Sequence, residues 1–201
     1  MSATDGGWIY KNRYWVGGAI AVTIIGVVLY INRKKVTEIG GKIIEGMQNK
    51  VWDAISEQKI EKLHPLVKEK AREFINKADA EGIKLRITDT LRTWAEQDEK
   101  YAQGRTKAGA KVTNARGGQS NHNFGLAMDV VEIVNGKAVW DSKNWDKIGK
   151  IGKSVGFFWG GDFKSITDKP HFEMTFGKTL AQLQKLYSSG QRDGEYVKLI
   201  A

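Results

Sequence analysis

The sequence contains no cysteine, which excludes disulfide staples, cysteine zinc sites and thiol nucleophiles alike. It is also short of histidine, with three in 201 residues, so any imidazole chemistry must draw on His64, His122 and His171. The helical metalloprotease motif H-E-x-x-H is absent. Ser56-Glu57-Gln58-Lys59 matches S-x-x-K, but no K-T-G partner follows it, and a chance match is the better reading. Acidic residues are missing from 104–119, where Arg105, Lys107, Lys111 and Arg116 lie among glycines. Charge of either sign is missing from residues 14–32.

What remains is the composition of a globular protein, 41% hydrophobic and 27% charged, with room for one domain and an additional segment. The formal charge of +9 attracts polyanions such as nucleic acid, anionic lipid or cell wall without choosing among them. No nucleic-acid motif accompanies the charge, so nucleic acid is not an expected partner.

As a helix the uncharged residues 14–32 would reach about 28 Å, close to the roughly 30 Å hydrocarbon core of a bilayer. Tyr14, Trp15 and Tyr30 sit where interfacial anchors belong, flanked by Lys11, Arg13 and Arg33-Lys34-Lys35. The pattern predicts a tail over 1–13 and a transmembrane helix over 14–32. A cleaved signal peptide is the rival, but the small residues Gly17-Gly18-Ala19 begin the apolar run instead of following it. Ile39, Ile43, Ile44, Met47, Val51, Trp52 and Ile55 recur at helical spacing, so 33–55 reads as an amphipathic juxtamembrane linker, helical from about 36 to 55. The expected location is membrane-anchored and single-pass. Local charge counting leans weakly toward a cytoplasmic domain, yet the expectation adopted is a domain facing the periplasm or cell wall, with a virion membrane as another setting.

Residues 56–201 form the expected domain. Pro65 is placed as the first residue of a helix whose apolar stripe ends near Gly82. Leu85 and Ile87 alternate with polar neighbours as a short strand. Thr93 and Glu96 make a capping box for a helix running to about Gln103. Leu126 to Val134 and Lys137 to Trp140 read as a hairpin about Asn135-Gly136. Ile148, Ile151 and Val155 mark a helix ending at Gly156, Phe172, Met174 and Phe176 alternate as a strand, and Leu180 to Tyr187 closes the chain as a helix. Helices early with a hairpin and strands later make the fold α+β.

His122 and Asp129 lie on either side of Gly125. Seven residues of helix would separate them by roughly 10 Å, whereas two ligands of one zinc ion must each come within about 2 Å of it. If they share a metal the stretch must fold back, and Gly125 permits that. The third candidate ligand is His171 in Asp168-Lys169-Pro170-His171. Two histidines and one carboxylate hold zinc while leaving a position for water. Asp168 is placed to move a proton, although alone it would read as a turn residue. His64 has a helix-starting role already, beside Pro65.

Together these residues resemble a known family. Thr88-Asp89-Thr90-Leu91-Arg92-Thr93, then Ser120-x-His122-x-x-Gly125-x-Ala127-x-Asp129, then Asp168-x-x-His171 look like the successive motifs of the zinc D-alanyl-D-alanine carboxypeptidase superfamily, peptidase family M15. The likeness covers about residues 60 to 178 and is closest to the L-alanyl-D-glutamate peptidases of phage endolysins and bacterial wall hydrolases. It implies a small antiparallel sheet with flanking helices around a single zinc site, with one Zn2+ per chain held by His122, Asp129 and His171. It further implies Asp168 as catalytic base, Arg92 as the cation steadying the substrate carbonyl, and peptidoglycan stem peptides as substrate. The carboxypeptidase and dipeptidase branches usually carry Glu where this chain has Asp168, so aspartate favours an endopeptidase of the L-Ala-D-Glu bond. Thr90-Leu91 departs from the Ser-Gly-Tyr or Ser-Gly-Phe more often found before the arginine. Ser120 and Gln97 are candidate contacts to substrate or to the ligands, with a loop-stabilising hydrogen bond the competing reading for each. A D,D-carboxypeptidase and a non-catalytic zinc-containing wall-binding module are the alternative functions.

Overall fold

The computed structural model describes residues 30, 32–43, 54–164 and 166–199. The chain divides into two units, Met1–Gln48 and Asn49–Ala201. In the first, residues 32–43 are helical and expose Val36, Ile39 and Ile43. The linker helix expected from 36 to 55 is thus present to residue 43, and residues 44–53 lie outside the described residues.

One expectation is corrected. No helix among the described residues is long and apolar enough to cross a membrane. The transmembrane helix expected over 14–32 falls, apart from residues 30 and 32, outside the described residues. Single-pass anchoring through that segment, and with it a domain held at the periplasmic or wall face or in a virion membrane, is therefore unsupported.

The second unit is α+β. Residues 54–60 are helical and lead to α1 (Pro65–Ala80), β1 (Leu85–Asp89), α2 (Trp94–Ala102), a 3-10 turn (Asn121–Phe124), β2 (Ala127–Val134) and β3 (Lys137–Val139). Then come α3 (Trp145–Ser154), β4 (Phe158–Trp159), a 3-10 turn (Gly160–Asp162), β5 (His171–Glu173), α4 (Leu180–Ser188) and the hairpin β6 (Arg192–Asp193) and β7 (Tyr196–Val197). Five strands make one sheet in the order β1-β2-β5-β4, with β3 also on β2, and every pairing is antiparallel. β2 is central, and its Asp129 stands opposite Asp89 on one side and His171 on the other.

Alternation along β2 sends Met128 and Val130 into the core and Asp129 to the opposite face. The core is strongly aromatic where α3 meets the sheet, with Phe74, Phe157, Trp159 and Phe172 in mutual contact. α3 lies close because Gly149 and Gly152 have no side chain. A Cβ on either would stand 2.4 Å from a ring atom of Trp159 or Phe172, nearer than packed atoms approach.

The capping box of Thr93 and Glu96 forms as expected, as does the Asn135-Gly136 turn, whose two residues both have positive φ. β5 is shorter than the alternation predicts. It stops at Glu173 because Phe176 and Gly177 both turn into the left-handed region, closed by Lys178 N–H donating to the Thr175 carbonyl at 3.0 Å.

His64 does more than precede α1. Its Nδ1 accepts from Leu66 N–H at 3.2 Å, and its Nε2–H donates to the Val197 carbonyl at 3.0 Å, tying the helix start to β7. Both ring nitrogens are in use only in the neutral form, and burial lowers the pKa of the ring despite the Val197 bond. The unfolded state then binds more protons than the native state just below the ordinary histidine pKa of about 6.5. Stability contributed by His64 is complete above that pH and declines as pH falls toward the lowered native value. His64→Asn keeps a capping side chain without the titration. The thermal midpoint is expected to drop more between pH 7.5 and 5.5 for the unchanged chain than for His64→Asn, and equal drops would remove this role.

Candidate metal centre

The turn that carries the first ligand is fixed from several directions. Ser120 caps the 3-10 turn, and Asn123 folds back so that its Oδ1 accepts from Gly118 and Ser120 N–H at 3.0 and 3.2 Å. Asn123 Nδ2 donates to the Arg92 carbonyl at 2.8 Å, and Arg92 N–H donates to the His122 carbonyl at 3.1 Å. Gly125 ends the turn at φ 68°, a region glycine enters without strain. A Cβ there would also lie 2.8 Å from the His64 nitrogen. The chain reverses and enters β2, which brings Asp129 back to His122.

His122 Nε2, Asp129 Oδ1 and His171 Nδ1 form a near-equilateral triangle, 3.3 Å between the two rings and 3.3 and 3.2 Å from the carboxylate to each. Zinc bonds of about 2.0 to 2.1 Å in a tetrahedral arrangement place neighbouring ligand atoms about 3.3 to 3.4 Å apart. The three residues could hold one metal ion, and both the spacing and the mixture of imidazole and carboxylate donors fit zinc.

Each ring is oriented by its other nitrogen. His122 Nδ1–H donates to the Thr90 carbonyl at 2.7 Å, and His171 Nε2–H donates to Glu173 Oε2 at 2.9 Å. Both nitrogens that face the shared centre are thereby left with free lone pairs in the neutral tautomers. Although burial opposes it, Asp129 and Glu173 push the pKa of His171 up to about 9. Although burial opposes it, the two rings hold the Asp129 carboxyl well below the usual carboxylate range.

A cleft of about 320 Å³ opens over the triangle. Arg92, Ser120 and Asp168 line it, as do Lys100, Phe163 and Glu173. Partial burial of its carboxyl, and next the charge of Asp129, raise the pKa of Asp168. Arg92 is buried, with Nη2 donating to Asp89 Oδ2 at 2.6 Å and Nη1 donating to Gln97 Oε1. Burial would raise the Asp89 carboxyl, but the Arg92 hydrogen bond and charge hold it below its ordinary value. Gln97 is fully buried and lies outside the cleft lining. Its Nε2 donates to the Ala115 carbonyl at 2.7 Å, so it ties Arg92 to the loop.

The structure puts most of the cations of the loop 104–119 to use within the fold. Arg105 donates to the Tyr101 and Thr113 carbonyls at 2.6 and 2.9 Å. Lys107 pairs with Glu99, and both Arg105 and Arg116 stack on Tyr101. Lys100 on α2, which sequence reasoning passes over, is the lysine that lines the cleft. Glu173, Asn121 and Asp89 are likewise given no role from the sequence. Glu173 could have been found from His171-x-Glu173, since residues two apart on a strand share a face.

A fold of this class with two imidazoles, one carboxylate and an adjacent free carboxylate in one cleft is a mononuclear metallohydrolase scaffold. Comparison with known proteins carries the assignment further. A family model described as D-alanyl-D-alanine carboxypeptidase matches residues 113–174. The peptidoglycan L-alanyl-D-glutamate endopeptidase CwlK of Bacillus subtilis is 44% identical over 122 residues, which is 56% of this chain and 73% of that protein. The L-alanyl-D-glutamate peptidase of Listeria phage A118 is 32% identical over 121 residues, 58% of this chain and 40% of that one. Among solved structures, the Serratia marcescens L-Ala D-Glu endopeptidase ChiX aligns with a TM-score of 0.49 at 23% identity, over 61% of this chain and 88% of its own. The chain belongs to peptidase family M15.

Proposed function

We propose that this chain is a zinc-dependent endopeptidase that hydrolyses peptidoglycan stem peptides at the bond between L-alanine and D-glutamate. The observation that carries the reading is the convergence of His122, Asp129, His171, Asp168 and Arg92 on one cleft, in a chain 44% identical to an endopeptidase of that specificity.

His122, Asp129 and His171 would hold the zinc. When bound, the ion supplies Lewis acidity that polarises a carbonyl and makes water a better nucleophile. Asp168, a cleft carboxylate outside the ligand triangle that, unlike Glu173, is not bonded to a ligand ring, accepts the proton of the attacking water and returns it to the departing amine nitrogen. Its raised pKa suits both halves of that transfer. Arg92, held on two different nitrogens by Asp89 and Gln97, presents a fixed positive charge to the carbonyl oxygen as negative charge develops there. Ser120 lines the cleft as well as capping the turn, which leaves it both expected roles. Lys100 adds a second cation for the acidic stem peptide.

The test is digestion of purified cell wall with the full chain, followed by labelling of new amino termini. Glutamate amino termini that appear only without a chelator are expected. Release of free alanine with no new glutamate termini, or cleavage that survives metal removal, would contradict the proposal.

A further inference from the structure

His171 is held differently from His122. The outer nitrogen of His122 meets a neutral backbone carbonyl, whereas that of His171 meets the carboxylate of Glu173. Strand β5 explains the contact, since Glu173 is two residues beyond His171 and so lies on the same face. The carboxylate is itself fixed, because Asn121 Nδ2 donates to the same oxygen, Oε2, at 2.8 Å. Asn121 immediately precedes His122 in the 3-10 turn, so one polar link joins the turn of the first ligand to the strand of the third.

We infer that Glu173, clamped by Asn121, is a positioning residue that fixes the orientation of the His171 ring and strengthens its Nδ1 as a metal donor. The inference rests on the reading of His122, Asp129 and His171 as the metal site. A carboxylate hydrogen-bonded to the far nitrogen of a ligating imidazole holds the tautomer and increases the basicity of the donor nitrogen.

The experiment measures zinc affinity by chelator competition, together with the thermal midpoint of the metal-free protein, for the full chain, two single variants and their combination. Glu173→Gln preserves shape and hydrogen bonding but removes the charge. It is expected to bind zinc roughly 10- to 100-fold more weakly, a larger loss than any fall in the metal-free midpoint accounts for, and to shift the visible spectrum when cobalt(II) replaces zinc. Asn121→Ala should weaken zinc binding less, and adding it to Glu173→Gln should cause little further loss, because the two act through one contact. Zinc affinity of Glu173→Gln within about twofold of the unchanged chain would overturn the inference, as would a loss matched by an equal fall in metal-free stability. If Glu173→Gln does not fold, unchanged affinity in Asn121→Ala overturns it. Failure of the unchanged chain to bind zinc would instead refute the metal site itself.

Discussion

Asp168→Asn is expected to retain the metal and lose turnover by roughly 10² to 10⁴-fold, the range that a positioned acid or base contributes. The separation between binding and chemistry follows from geometry. The three groups of the metal triangle lie within 3.3 Å of one another, and Asp168 is not among them. An amide fills the same space, and it removes a negative charge that Asp129 disfavours, so the fold should tolerate the exchange. What it cannot do is accept a proton from water. Zinc content and wall cleavage measured on the same preparation check this. Full activity would remove Asp168 from the mechanism, and loss of zinc would recast it as part of the metal site.

Arg92→Ala is expected to lower kcat/KM by about 10² to 10³-fold, as loss of one group stabilising an oxyanion does. Arg92→Lys should recover little of it. Asp89 and Gln97 grip separate nitrogens of the guanidinium, and the single ammonium of lysine cannot satisfy both while still facing the cleft. Both variants should be read against a melting curve, because loss of the guanidinium takes the Arg92 hydrogen bonds from Oε1 of the buried Gln97 and from Oδ2 of the half-buried Asp89. Wild-type kinetics in either variant would assign Arg92 a purely structural role.

His122, Asp129, Asp168 and His171, which the cleft brings together, were legible in the sequence, and the reason is local. His122 and Asp129 sit around a glycine that must reverse the chain, and Asp168 and His171 sit around a proline, so short spacings expose them. The elements that follow one period or one cap were legible too, as with Thr93 and Glu96. What stayed hidden depends on pairing between distant segments. The clamp on Glu173 forms only when Asn121 approaches it from 52 positions away. Gln97 reads from the sequence equally as a contact to substrate or ligands and as a loop tie, and its burial follows only from the loop at Ala115 folding over it. The counter-charges of the basic loop lie on the preceding helix, where Asp98 accepts from Gly117 N–H at 2.8 Å and Glu99 pairs with Lys107. The hairpin β6–β7 has strands of two residues each, too short to show alternation, although His64 and its α1 cap depend on it.

Zinc content per chain, determined after removal of free metal for the unchanged chain and for His122→Ala side by side, tests the account most directly. One zinc ion per unchanged chain and none retained by His122→Ala is the expected outcome. An unchanged chain that takes up no zinc, or a His122→Ala variant that keeps its full complement, would contradict it.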